Sequence, residues 1–297
     1  MRQDRREYED MAKNPGKGRC VHCLKEVPER NWDHVFPKSW YPDTTPQNLE
    51  KWQIPSCIRC NRKYGKIEED LIGRFAVALD SKNPASAGLV ETAIRAIDPA
   101  AGRDDRDAAA RLAKQRKFLA DMYKGEEIAG AQVMPGLGER WGRPLAQQLA
   151  IKIPGEKLMA MTRKIVRGHV YLDNKTFIVP PYKIECYLAE DEKVKVVKEL
   201  LDKHGKEYKR EPGLVIRRAP VEGDPLTALY EITFWDQFRT YAIVSTGKAL
   251  PRLSPRQRRA LKRAQLNAWL QRRARKQGRP KARARSRARK RARRTRS

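Results

Sequence analysis

From Ile58 onward the apolar residues settle into helical spacing. Ile67, Leu71, Ile72, Phe75, Ala76 and Leu79 recur at steps that place them on one face of a helix. Asn83-Pro84 breaks that helix, because proline lacks an N–H and disfavours helical backbone in the residue before it. "ASAGLVETAIRAI" and "DDRDAAARLAKQRKFLADMY" predict two further helices, the second with an acidic first turn. Upstream, residues 19–56 lack any such period. Turn residues recur there, with brief strand-like pieces at 30–36 and 52–55. Downstream, Gly and Pro crowd residues 130–155 ("MPGLGERWGRP", "IPGE"), the composition of a boundary or a long loop. A helix over 156–167 then leads into strand-like "GHVYLD" and "TFIVPPYKIECYLA". A charged helix over 191–204 follows, and after it "GLVIRRAP", "ALYEITFWD" and "FRTYAIVS" read as strands. No internal repeat is found.

These patterns make the chain α+β and divide it into five parts. A flexible lead spans 1–18 and ends in a Pro-Gly-Lys-Gly cluster. A short irregular core with a helix spans 19–80. A helical connector with its Gly/Pro-rich loop covers 81–155, an α+β accessory domain 156–250 and a basic tail 251–297. With 297 residues, 40% of them hydrophobic, the chain can bury a sizeable core. No run of about 18 apolar residues occurs, so no membrane span is expected. "MRQDRREYED" lacks the apolar stretch of a secretory signal, so a cytoplasmic, nucleic-acid-associated location is expected.

The net charge of +29 calls for a polyanionic partner, and its distribution sharpens that. Residues 252–297 hold 21 of the 65 Lys and Arg and no Asp or Glu. The remaining 44 basic residues face 36 acidic ones, so the body is mildly basic and the tail extremely so. Like charges at such short spacing repel, which predicts a tail disordered when free. Nucleic acid is the first partner to consider, with DNA ahead of RNA, and an acidic membrane surface ranks after both. The tail lacks the apolar face that an interfacial helix needs.

Four of the five cysteines form two C-x-x-C knuckles, "CVHC" at 20–23 and "CIRC" at 57–60. Each knuckle turns its two sulfurs toward one point, and two knuckles together make a closed tetrahedral Zn²⁺ site of structural type. A redox role would call for a βαβ context, which this segment lacks. His22 lies inside the first knuckle, either as an alternative ligand or simply exposed. Cys186, in "YKIECYLAE", fits a core strand, and the isolated His169 and His204 read as structural or exposed.

Between the knuckles the order is Asp33-His34, then Asn48, with Asn61 directly after the second knuckle and Lys63 and Lys66 beyond it. This arrangement resembles the HNH endonucleases, the zinc-knuckle ββα-metal nucleases, over roughly residues 19–80. The resemblance implies a metal-dependent hydrolase of DNA phosphodiester bonds. His34 would be the general base, and Asp33 and Asn61 would hold Mg²⁺ or another divalent cation. Asn48 would fix the loop and orient His34. Such chemistry needs an activated water, a cation to neutralise the phosphate and help for the leaving oxygen, and a neutral imidazole suits the first of these near pH 7. Successive strand residues point to opposite faces, so Asp33 and His34 have different tasks. Arg62, Lys63 and Lys66 would lie near the phosphates. Glu68 sits two turns beyond Asn61 on the same face, roughly 10 Å along the axis, too far to share an ion unless another segment bends in.

Blander readings stand beside these. Asp33-His34 can be a buried pair in which the carboxylate satisfies the imidazole, Asn48 a helix cap or turn residue, and the lysines a solvated helix face. Trp40 and Tyr41 either stack on bases or pack their loop onto the helix. The rival function is a non-catalytic zinc protein that binds RNA through the arginine-rich tail. A scaffold binding an acidic partner is the third.

Overall fold

The computed structural model describes residues 14–80, 82–124, 149–189, 191–210 and 212–247, and the chain through Gly247 forms one compact unit. The basic tail, the first 13 residues and most of the Gly/Pro-rich stretch at 130–155 lie outside the described residues. Among the described residues no helix is long and apolar enough to cross a membrane.

The N-terminal part is built on two small hairpins and a helix. Strands β1 (Gly18–Arg19) and β2 (Glu26–Val27) pair antiparallel around the first knuckle. Strands β3 (Asn31–His34) and β4 (Gln53–Ser56) pair antiparallel, setting Asp33 opposite Ile54 and His34 opposite Gln53. Helix α1 (Ile58–Ala78) follows at once, its first turn capped by the Cys57 sulfur, which accepts from the Cys60 N–H. The expected apolar stripe is the buried face: Leu71, Phe75 and Leu79 enter the core, with Ile67 and Ile72 packed at its edge. The helix ends at Ala78, before the expected break at Asn83-Pro84, and Asn83 instead heads a 3-10 turn, its side chain accepting from the Ala85 N–H. Helices α2 (Leu89–Ile97) and α3 (Asp105–Ala120) form next, and Asp104 caps α3 above its acidic first turn. Strands β5 (Met122–Lys124) and β6 (Leu149–Ile151) pair antiparallel on either side of residues 125–148.

The C-terminal part is a five-stranded antiparallel sheet in the order β7-β11-β10-β9-β8. Its strands are β7 (Lys183–Tyr187), β8 (Lys206–Arg210), β9 (Leu214–Val221), β10 (Asp224–Phe234) and β11 (Phe238–Ser245). Side chains alternate across it with period two. Tyr230, Ile232, Phe234, Ala242 and Val244 face the main core, while Leu229, Tyr241 and Ile243 face a smaller cluster under helix α5 (Glu192–His204).

Helix α4 (Gly155–Asn174) corrects the sequence reading, which stopped it at 167 and took "GHVYLD" as a strand. Val170 and Tyr171 have strand propensity. The stripe Leu158, Met161, Ile165, Val166, His169, Val170 nevertheless keeps its helical period, and burial of that face outweighs propensity. "TFIVPPYKIECYLA" is strand only from Lys183, because the two prolines cannot donate to a ladder.

One core joins the two parts. Phe36, Trp40 and Phe75 pack with Phe234, Trp235 and Phe238, and the Trp235 indole donates to the Trp40 carbonyl at 2.8 Å. Trp40 is fully buried, so it packs its loop onto α1 and the sheet. His169 is buried as well, ringed by Trp52, Tyr208 and Tyr230, and Cys186 sits on β7 against the core.

Candidate functional site

The two knuckles meet because β4 runs back beside β3 and delivers Cys57 to the base of the first hairpin. The Sγ atoms of Cys20, Cys23, Cys57 and Cys60 lie within 4.8 Å of one another. A tetrahedral Zn²⁺ with thiolate bonds of about 2.3 Å requires sulfurs about 3.8 Å apart, and Cys23 and Cys57 stand at 3.9 Å. The cluster thus fits structural zinc. The Cys57 N–H donates to Cys20 Sγ at 3.3 Å. Burial pushes the Cys20 thiol up, but the backbone N–H groups of Cys23, Cys57 and His22 outweigh it and bring the pKa down to about 7, toward the thiolate a metal takes.

Strand β3 leads from this cluster to a cavity lined by Asp33, His34, Asn61 and Glu68, with Lys38 at its side. Residues predicted from separate stretches of sequence therefore face one space. Asn61 reaches it from the first turn of α1, and Glu68 from two turns further along.

Asp33 is almost fully buried, and each of its oxygens has a partner. Oδ2 accepts from His22 Nε2 at 2.9 Å, and Oδ1 pairs with Lys164 Nζ at 2.9 Å. Burial opposes its ionisation, but His22 and Lys164 prevail and hold its pKa below the ordinary carboxylate value. His22 is therefore not exposed, and its Nε2 is engaged by Asp33. It is buried against Tyr64, and burial lowers its pKa despite Asp33. An ionised carboxylate only accepts, so the neutral ring carries its proton on Nε2. Its Nδ1 lone pair is left buried without a partner.

The Lys164 side chain has no exposed surface, yet it pairs with two carboxylates, Asp33 and Glu68. Its Nζ donates to the His34 carbonyl at 2.6 Å and to Glu68 Oε1 at 2.5 Å, besides pairing with Asp33. Lys164 belongs to α4 and reaches this point because Gly168, one turn on, lets the helix close on the β3–β4 hairpin. A Cβ on Gly168 would come within 2.8 Å of Val35 Cγ2 and 3.1 Å of Ile54 Cδ1. Lys164, 96 residues on from Glu68, thus links Glu68 of α1 to Asp33 of β3. Burial raises the Glu68 pKa, opposed by Lys164.

His34 is half-buried. Its Nε2 pairs with the Gln53 amide at 3.0 Å across the hairpin. Burial lowers its pKa, with Lys164, Lys38 and Lys51 adding to the effect and Asp33 opposing it. The imidazole is neutral at pH 7. Asn48 departs from expectation: it is exposed in the turn that follows Pro46, and the ring it was expected to orient is held by Gln53 instead. Gln53 carries no signal in the sequence, and only the pairing of β3 with β4 sets it opposite His34. Arg62, Lys63 and Lys66 are exposed and, with Arg59 and Ile58, line a shallow depression on the outer side of α1.

Comparison of the chain with protein-family models, with curated proteins and with solved structures finds no match. The cysteine cluster defines a candidate zinc-binding protein of mixed helix and strand.

Proposed function

We propose that this cavity is the active site of an HNH-type, metal-dependent endonuclease that hydrolyses DNA phosphodiester bonds. The observation that carries the reading is the convergence of Asp33, His34 and Asn61 on one cavity beside the four-cysteine cluster. The order of two antiparallel strands and a helix, β3, β4 and α1, agrees with the resemblance read from the sequence.

Each residue has a task in this reading. His34, neutral because it is buried among cations, takes a proton from the attacking water. The new P–O bond forms as the bond to the leaving sugar oxygen breaks, and that oxygen takes up a proton. The Gln53 side-chain amide N–H donates to His34 Nε2, so the ring proton sits on Nδ1, and Nε2 acts as the base once it turns from Gln53 to the water. Asp33 and Asn61 would hold the divalent cation, with Glu68 lining the same space. Bound there, such an ion supplies charge neutralisation for the phosphate. Lys38 lines the cavity, and Arg62, Lys63 and Lys66, exposed along a separate depression on α1, would favour a phosphate backbone running past it. The 21 basic residues of the tail supply sequence-independent affinity.

Purified full-length protein on supercoiled plasmid tests the reading. Cleavage is expected with Mg²⁺ or Mn²⁺, and none from His34→Ala with its zinc content intact. The rate should rise with pH through a pKa below the ordinary histidine value and level off by neutrality, since the base must be deprotonated. Intact plasmid under all cation conditions, or full activity of His34→Ala, would refute it and favour the RNA-binding alternative.

A further inference from the structure

The two carboxylates of the cavity converge on a single point, and that point already holds a cation. Lys164 Nζ stands 2.9 Å from Asp33 Oδ1, 2.5 Å from Glu68 Oε1 and 2.6 Å from the His34 carbonyl oxygen. Three acceptors match the three N–H bonds of the ammonium, which is shut off from solvent. Hard carboxylate and carbonyl-type oxygens converging on one position are what Mg²⁺ or Mn²⁺ takes, at about 2.0–2.1 Å for Mg²⁺. The donor set therefore fits a divalent cation, but one position cannot hold both ions.

Two carboxylates facing one small space repel, and one would ordinarily take up a proton. The ammonium removes that conflict and keeps Asp33 ionised. A lysine suits a temporary role of this kind, since it is a compact point charge on a flexible four-carbon stem. Asp33 and Glu68 also line the cavity, so an ion entering it meets the same two carboxylates.

We propose that Lys164 is a displaceable internal cation. It holds Asp33 and Glu68 ready for a divalent ion, and that ion binds there only by expelling the ammonium. Lys164 is thus a positioning residue for the hydrolase read above, and its place on α4 makes that helix a determinant of cation affinity. The inference rests on that reading for its purpose, but binding alone tests it.

The experiment is Mn²⁺ titration of the full-length, zinc-loaded protein by calorimetry, with Lys164→Met and Lys164→Gln beside the wild type. Both variants should bind Mn²⁺ about tenfold more tightly or better, the scale on which one nearby like charge acts. Asp33→Asn added to Lys164→Met should lose that gain. A lysine that merely braces the fold gives unchanged or weaker binding on removal, and that result would overturn the proposal. Should neither variant fold, the wild type carries the test through amine labelling read by mass spectrometry. Lys164 should be protected without Mn²⁺ and labelled severalfold faster at saturating Mn²⁺. Unchanged labelling, or no Mn²⁺ binding at all, overturns the proposal. Tight Mn²⁺ binding by Lys164→Met with no plasmid cleavage by the wild type would strike the hydrolase reading alone.

Discussion

Two glycines in helices invite the same substitution and should answer it with opposite sign. Gly65 lies in α1, where an added Cβ meets nothing within 4 Å. Gly65→Ala should therefore show only the intrinsic helix gain, about 0.5–1 kcal/mol. Gly168 in α4 has the same intrinsic gain available. Its Cβ, however, would press Val35 Cγ2 at 2.8 Å, Ile54 Cδ1 at 3.1 Å and Val35 Cγ1 at 3.2 Å. Val35 and Ile54 are fully buried and cannot swing into solvent. Valine, moreover, is stiff at χ1. Overpacking of this kind costs about 1–3 kcal/mol, so Gly168→Ala should lose a net ~1 kcal/mol. The two variants should then differ by about 2 kcal/mol, or about 4–8 °C in Tm for a unit of this size. Thermal melts followed by circular dichroism, with zinc content matched, measure this directly. Gly168→Ala melting at or above Gly65→Ala would refute the close approach of α4 to the hairpin, and with it the placement of Lys164.

Two further expectations concern metal and pH. Folded wild-type protein should contain one zinc per chain, and Cys57→Ser should lose most of it and melt well below wild type, given the roughly 10–16 kcal/mol of apparent binding energy in small zinc modules; zinc-free folded protein by elemental analysis would sink this. His169, its pKa lowered to about 4 by burial, stays neutral in the folded chain while the unfolded chain protonates near 6.5. Stability should thus be complete above pH 6.5 and fall by about 2–4 kcal/mol as pH drops toward 4, in urea titrations. His169→Phe should flatten that fall, and an unchanged slope would count against it.

What the sequence disclosed and what it hid follow from the range of the interactions. Asp33, His34 and Asn61 are singled out by the resemblance that residues 19–80 carry, and the knuckles lie on short segments whose spacing states their geometry. Leu71, Phe75 and Leu79 announced the buried face of α1 for the same reason. Gln53 in place of Asn48 depended on hairpin register, which local pattern does not give. His22 turned inward because Asp33 receives it, a contact visible only once the strands are paired. Lys164 lies 130 residues from His34 and could not be placed by spacing. One signal was present: Met161, Lys164, Ile165 and Gly168 share a helix face, and a lysine on an apolar face implies a buried partner.

The aromatic junction of Phe36, Trp40 and Phe75 with Phe234, Trp235 and Phe238 bears on how this chain can be inherited or engineered. A cassette cut at residue 80 would carry the cysteines and the Asp33-His34 pair. It would also bare three large rings to water and leave two carboxylates without their ammonium. Recombination that exchanges residues 19–80 between chains is thus expected to transmit the zinc ligands but not a working cavity, unless α4 and the β10–β11 turn travel with them.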